Sequence, residues 1–269
     1  MTEPPISRGV PKAVQDSIVT IPFRDIDAFR AALDANPDIG GAIMLIGGTG
    51  ANEQSPGLEY LKQVRELTRQ RGVVLIFDEV VSGFRYAPGG CQEYYGVAPD
   101  LTTLAKILAG GLPGGAIAGR ADVLSLLEFR SDAQWMRHGR VPHPGTYNAN
   151  PLSAAAGVAC LKVVRDPAIQ KKATATADAI RAGCNAAMAR RGVEGNFGGE
   201  VSLISLSFAN TKLKGREFSR RLRMAMQLGG VDINGNNLIV SAVHSDDDVA
   251  RTVEAFDDAI GMLKEDGAF

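Results

Sequence analysis

Hydrophobic residues in the first half of the chain change between helical and strand-like spacing. Apolar residues recur at helical intervals after Asp25, which can cap the helix, and again over residues 58–71. Short continuous apolar runs occupy residues 41–46 and 73–77, as expected for strands. Because a strand, a helix and a second strand follow one another, the pattern predicts a βαβ unit and an α/β fold with a mainly parallel sheet.

The pattern after Pro151 predicts a different kind of unit. A long helix rich in small residues comes first, and the final helix begins at Ser245 with Asp248 in the capping-box position. Between them the sequence predicts a helix at 173–190, a strand at 201–208, a basic amphipathic helix at 215–229 and a strand at 238–243. These elements form a small C-terminal α+β domain.

The chain is therefore expected to have three parts. Residues 1–23 contain several prolines and little periodicity, and we expect an extended lead-in. Residues 24–165 form an incomplete large domain that includes a linking helix, and residues 166–269 form the small domain.

Composition excludes several classes of function. Lys and Arg total 29 against 30 for Asp and Glu, so the balance implies no nucleic-acid partner. No apolar run approaches the ~20 residues of a membrane span, so membrane insertion is not expected. Three cysteines without CxxC spacing and three histidines without a ligand pattern predict no disulfide framework and no metal site. A cytoplasmic location fits these features.

Two ionisable residues stand at the ends of strand-like runs. Asp78 closes the run VVLIF, which resembles a strand buried on both faces, where an unpaired carboxylate is costly. Lys106 follows LTTLA and precedes the turn AGGLPGG. Because parallel sheets place their ligands at the carboxyl ends of strands, we expect the two residues to share one pocket. A cationic aromatic cofactor would satisfy both.

The sequence around Asp78 and Lys106 is more specific than these two residues alone. The segments FDEVVSGFR, PDL, LAK and GGLPGGAIAGR, and then HPGTYNANPLSAAAG, resemble class III aminotransferases of fold type I. The glutamate-1-semialdehyde aminomutase-like branch is the most similar. A motif of this kind indicates a family only where the expected strands and turns surround it, and the sequence predicts those strands and turns here.

The resemblance implies a pyridoxal phosphate enzyme that transfers amino groups, as an aminotransferase or an aminomutase. It implies that Lys106 forms the Schiff base, that Asp78 pairs with the ring nitrogen and that Val80 packs on one ring face. It also implies that Thr146, with Gly145, reaches the cofactor phosphate of a neighbouring subunit, so that the protein is a homodimer. The expected substrate is an amino acid, a keto acid or an amine.

The glycine-rich segment after the first strand supports a rival interpretation. Gly48 and Gly50 match the start of a dinucleotide-binding motif, but Glu53 occupies the position of its last glycine. A Rossmann-type oxidoreductase is therefore a weaker alternative. In the aminotransferase family the strand before this loop usually ends in Glu-Pro, whereas Met44 and Leu45 stand here.

The resemblance covers only the C-terminal part of such an enzyme. Family members carry, in a preceding segment, a phosphate cup and an aromatic residue on the open ring face, and neither is found here. Two hypotheses follow besides the oxidoreductase. The chain is half of a split or truncated enzyme that pairs with a separate N-terminal half, or it is a non-catalytic binding or scaffolding remnant.

Overall fold

A computed structural model describes residues 9–48, 55–213 and 215–269. The elements that the sequence pattern predicts occur in the predicted order, together with further short elements. The first part contains α1 (Lys12–Gln15), α2 (Ile26–Ala35), β1 (Gly41–Leu45), α3 (Leu58–Arg71), β2 (Val74–Glu79), α4 (Gly90–Tyr95), β3 (Leu101–Ala105), β4 (Gly115–Gly119) and α5 (Ala121–Leu124). The second part contains α6 (Pro151–Val164), α7 (Pro167–Arg191), β5 (Gly195–Glu200), β6 (Leu203–Phe208), α8 (Arg216–Leu228), β7 (Asn237–Ile239) and α9 (Asp246–Glu265).

The first sheet has the order β1-β2-β3-β4. Strands β1, β2 and β3 are parallel, and β4 runs antiparallel to β3. The predicted βαβ unit is confirmed, and α3 has the predicted bounds. Gly72 ends α3 in the left-handed conformation, with φ of 65°, which glycine adopts at low cost. The antiparallel strand β4, with sequence GAIAG, was not predicted.

One face of this sheet is open, which corrects the expectation that the Asp78 strand is buried on both faces. Leu75, Phe77 and Glu79 are buried on one side, whereas Ile76 and Asp78 alternate with them and are partly exposed. On the same open side, Ile43 is 65% exposed and Ile117 is 42% exposed. The physical reason is that no layer of the described chain covers this side.

The second sheet is antiparallel and has the order β5-β6-β7. Helices α7 and α9 pack on each other, α8 packs on α9, and α7 packs on β5. The predicted capping box is present, because Ser245 accepts from the Asp248 N–H and Asp248 accepts from the Ser245 N–H. The glycine-rich strand β5 was not predicted.

Each sheet has its own hydrophobic cluster. The cluster of the second sheet extends from Ala177 to Ala268, and that of the first sheet extends from Phe29 to Val97. Leu203 of β6, in the second sheet, belongs to the hydrophobic cluster of the first sheet. The two sheets and their helices are therefore in contact through this residue. Within the described residues, no helix has the length and apolar composition needed to cross a membrane.

The lead-in differs from the prediction. Residues 1–8 lie outside the described part, and residues 12–15 form the short helix α1 rather than extended chain. No residue of α1 is buried. Further along, Ile21, Pro22 and Phe23 line an apolar cavity of about 390 Å³ beside β1.

Candidate functional site

Asp78 lies near the carboxyl end of β2, on the open face of the first sheet. Its Oδ1 accepts hydrogen bonds from the Val80 N–H at 3.0 Å and from the Thr103 hydroxyl at 3.3 Å. No donor within the described residues reaches Oδ2. The carboxylate is therefore held in place by one oxygen, while the other is left for a further donor.

Lys106 is the first residue after β3. Its side chain is exposed, and its φ of 53° lies in the left-handed region, which costs a non-glycine residue about 1 kcal/mol. A single 3₁₀ turn, Lys106–Ala109, follows, and Gly110 continues in the left-handed conformation with φ of 60°. The backbone thus turns sharply at the lysine.

The strand register relates the two residues. Asp78 pairs with Thr103 in the parallel strand β3, and Lys106 follows the end of β3, three positions after Thr103. Asp78 and Lys106 therefore both lie toward the edge of the sheet formed by the carboxyl ends of β2 and β3.

Close packing fixes the turn that carries Lys106 against α6. A Cβ at Gly157 would lie 2.5 Å from the Leu108 carbonyl oxygen, and one at Gly110 would lie 2.5 Å from the Ala156 carbonyl oxygen. Both glycines are therefore required by the approach of the two backbones. The small residues of α6 permit this close packing, and they contact the turn that carries Lys106.

Glu79 lies on the opposite, buried face from Asp78. It is 1% exposed and accepts from the N–H groups of Cys91, at 2.7 Å, and Gln92, at 3.4 Å. Burial raises the pKa of Glu79, and the two N–H groups oppose that shift. These bonds tie the end of β2 to the start of α4, so they help to fix the backbone of Asp78.

Gly145 and Thr146 are not brought to Asp78 and Lys106 by contacts within the described residues. Both are exposed, in a loop where the Asn148 side chain donates to the His143 carbonyl and the Asn148 N–H donates to the Gly145 carbonyl. A cavity of about 620 Å³ lies between this loop, the Lys106 turn and α6, lined by Gly114, His143, Tyr147, Asn150 and Ser153 among others.

The donor set fits part of the cofactor that the motifs imply. Asp78 Oδ2 can accept from a protonated ring nitrogen, and Lys106 supplies an amine at the same sheet edge. Val80, half-buried just beyond β2, follows Asp78 closely enough to border a ring there. Within the described residues no group of His, Cys, Asp and Glu side chains could hold a metal ion.

Thr103, which orients Asp78, was not predicted from the sequence. The position of Thr103 in LTTLA could have indicated this role. Alternation along β3 places Thr103 on the open face, next to Asp78, its partner on the neighbouring strand. Leu45 is paired with Asp78 from the other side, at the end of β1. Gly50 and Glu53 of the rival dinucleotide motif lie outside the described residues.

Comparison with known proteins identifies the family. The model of the family described as aminotransferase class-III matches residues 32–260. The glutamate-1-semialdehyde 2,1-aminomutases of Methanococcoides burtonii and Methanosarcina acetivorans are 32% and 33% identical to the chain over 265 and 267 residues. These matches cover 94% of this chain but 60% of each relative, so the chain spans less than two thirds of their length.

Solved structures agree on the fold. An omega-transaminase from Sphaerobacter thermophilus is 31% identical, with a TM-score of 0.83, and the match covers 97% of this chain and 60% of that one. A structure described as a transaminase with PLP bound gives a TM-score of 0.84 at 26% identity. The predicted type I transferase fold is confirmed, and the dinucleotide-binding interpretation finds no support. The chain belongs to the class III aminotransferase family.

Proposed function

We propose that this chain is the lysine-bearing part of a pyridoxal phosphate-dependent enzyme that transfers amino groups, as an aminotransferase or an aminomutase. The observation that carries the proposal is the pair formed by Asp78 and Lys106 at one sheet edge, with Asp78 Oδ2 open to a donor. The substrate class is an amino acid, a keto acid or an amine. The relatives' own names agree with this chemistry.

The cofactor, when bound, supplies an aldehyde that bonds to amines and a cationic ring that absorbs negative charge from the substrate carbon. The Asp78 carboxylate would hold the proton on the ring nitrogen, and Val80 would border one face of the ring. The Lys106 amine would hold the cofactor through its aldehyde, and the same amine, when free, would move a proton to and from the substrate carbon.

Gly145 and Thr146 are proposed to contact the cofactor phosphate across a subunit boundary. Their exposure and their lack of contact with Asp78 and Lys106 within the described residues are compatible with a site in a second copy. A two-fold homodimer is the simplest assembly that gives each copy this contact.

We also propose that the large domain ends near residue 165 and that the small domain begins at residue 166. The break between α6 and α7 at Asp166, which caps α7, and the separate hydrophobic clusters support that division. The large domain is completed by a segment equivalent to the part of the relatives that this chain does not match. Three free cysteines, two of them buried, fit a reducing cytoplasm.

Reductive labelling tests the function. The chain is incubated with pyridoxal phosphate at a near-equimolar ratio and reduced with borohydride, and the modified peptide is identified by mass spectrometry. We expect the adduct at Lys106, and its loss in Lys106→Arg. An adduct at Lys62 or Lys162 in preference to Lys106 would show that the site is wrongly placed.

The alternative is a non-catalytic binding or scaffolding role. The observation that favours a scaffolding role is the open face of the first sheet, where Ile43 and Ile117 are exposed and accessible to a partner. The two roles differ in the labelling experiment, because a scaffold has no reason to label at Lys106 more than at other exposed lysines.

A further inference from the structure

A glutamate of the second sheet is connected to both ends of the glycine-rich segment that follows β1. Glu200 Oε2 accepts hydrogen bonds from the hydroxyls of Tyr86, at 2.8 Å, and Tyr95, at 3.3 Å. The Gly48 N–H donates to the Tyr86 hydroxyl at 2.8 Å, and the Ser55 hydroxyl is hydrogen-bonded to that of Tyr95. We call these five residues the Glu200 cluster.

Both tyrosines are suited to a fixed role. Tyr86 is 6% exposed, and its ring so nearly fills the space at Gly47 that a Cβ there would lie 2.8 Å from a ring carbon. Burial, followed by the hydrogen bond to Glu200, raises the pKa of Tyr86. Burial also raises the pKa of Tyr95. The two hydroxyls therefore stay protonated and donate to the carboxylate.

Glu200 itself is anchored. It ends β5, and the chain then turns through Val201, which has φ of 46°. Arg181 of α7 donates to the carbonyls of Val201 at 3.1 Å and Leu203 at 3.3 Å. Leu203 packs in the core of the first sheet. The carboxylate is thus presented from a turn that is held on two sides.

Gly48, one member of the cluster, lies close along the chain to the candidate site. Leu45, the last residue of β1, is paired with Asp78, and the Ile46 N–H donates to the Asp78 carbonyl at 3.4 Å. Gly48 is only two residues further on. The position of Gly48 is therefore set jointly by the strand that carries Asp78 and by Glu200.

We propose that Glu200 is a positioning residue that fixes Gly48, close along the chain to the candidate site, through Tyr86, and that fixes Ser55 through Tyr95. The importance of Gly48 rests on the function proposed for Asp78 and Lys106, whereas the hydrogen bonds of the Glu200 cluster are independent of that function. Glu200 thereby makes the placement of Gly48 depend on the second sheet.

Amide hydrogen exchange measured by NMR tests this role without cofactor or activity. In Glu200→Ala the Gly48 amide, which does not touch Glu200, should exchange about tenfold faster, the effect of losing one charge-assisted hydrogen bond that holds Tyr86. Glu200→Gln keeps an acceptor oxygen and should restore most of the protection. Tyr94→Phe is the matched control, because Tyr94 packs on both tyrosine rings but is exposed.

The Leu75 amide, in the centre of the first sheet, separates positioning from general destabilisation. The proposal requires that its exchange stay unchanged in Glu200→Ala while that of Gly48 rises. Equal acceleration at both amides, or none at Gly48, would overturn it. If Glu200→Ala does not fold, Glu200→Asp, which keeps the charge but shortens its reach to Tyr86, decides the same question: faster exchange at Gly48 alone supports the proposal, and unchanged exchange at Gly48 overturns it. Failure of the labelling at Lys106 would instead count against the proposed function.

Discussion

At the residue scale, the two oxygens of Asp78 are used unequally. Asp78 is partly exposed, and its Oδ2 is not among the buried atoms of the described residues that lack a partner, so leaving that oxygen without a protein donor costs little. Here Val80 and Thr103 both donate to Oδ1. The arrangement orients the side chain and leaves Oδ2 for a donor outside the described chain.

Removing this carboxylate should therefore affect chemistry more than stability. We expect Asp78→Ala to abolish amino transfer by the completed enzyme, because the ring nitrogen loses its charged partner, while the unfolding free energy changes by less than about 1 kcal/mol. Turnover and urea unfolding measure the two effects. Thr103→Val is the companion variant and should lower turnover less. Unchanged turnover in Asp78→Ala would remove the residue from the site.

Asp100 shows the opposite arrangement, with both oxygens engaged. It is 5% exposed and accepts from the Leu75 N–H at 2.8 Å, Arg65 at 2.8 Å and Arg120 at 3.0 Å. Burial alone would raise the pKa of Asp100, but these hydrogen bonds together hold it below its ordinary value. The residue therefore serves stability, at the edge of the sheet remote from Lys106.

Asp100→Asn should lower the unfolding free energy by about 1–3 kcal/mol at pH 7, because Arg65 loses its charged partner. Since the folded pKa is depressed, this contribution is present above the unfolded value of about 4 and is lost as the pH falls through the folded value. Urea unfolding should show that the difference in unfolding free energy between Asp100→Asn and the unaltered chain is smaller at acidic than at neutral pH. Asp122→Asn, which also removes a partner of Arg120 but is exposed, should change little.

At the scale of elements, the turn that carries Lys106 depends on α6. In a free helix Gly→Ala stabilises by about 1 kcal/mol. At Gly157 the sign should reverse, to a loss of about 1–3 kcal/mol, because the added Cβ meets the Leu108 carbonyl. Urea unfolding gives the sign, and Val158→Ala on the exposed side of α6 is the control. A stabilised Gly157→Ala would mean that the contact is loose.

The elements recovered from the sequence share a strong local signal. Helix α3 combines apolar periodicity with a terminal glycine, and α9 combines it with a capping box. Strands β4 and β5 were missed because GAIAG and GNFGGE are rich in glycine and nearly lack the β-branched residues that mark strands. The open face was missed because VVLIF is apolar at every position, whereas exposure depends on what covers the strand.

The residues of the candidate site differ in the same way in how well the sequence predicts them. Asp78 and Lys106 were predicted because sequence motifs and strand ends coincide there. Thr103 and Glu200 were not, because their roles arise from register and from contact between the two sheets. Tyr86 and Glu200 are separated by 114 positions, and no local pattern relates them. Long-range pairing of this kind is a property of the fold.

At the scale of the whole molecule, the open face of the first sheet should drive association. Ile43 lies on it and is 65% exposed. We expect sedimentation to show self-association at rising concentration, which Ile43→Glu weakens by placing a charge on the apolar face. Leu228, 78% exposed at the end of α8, provides the matched control. Equal effects of Ile43→Glu and Leu228→Glu would indicate nonspecific association.

The same open face bears on activity. Phosphate and ring contacts supply much of a cofactor's hold, and a displacement of about 1 Å in a catalytic arrangement can cost ~100-fold in rate. The chain spans about 60% of its relatives, and Asp78, Val80 and Lys106 are the residues proposed to form its side of the site. We therefore expect residues 1–269 alone to label weakly at Lys106 and to turn over poorly. Adding a segment equivalent to the unmatched part of a relative should raise both, and Ile43→Glu should suppress that gain while Leu228→Glu does not. Full turnover by residues 1–269 alone would contradict this expectation and would require that the cofactor's phosphate and second ring face be held by residues within this chain.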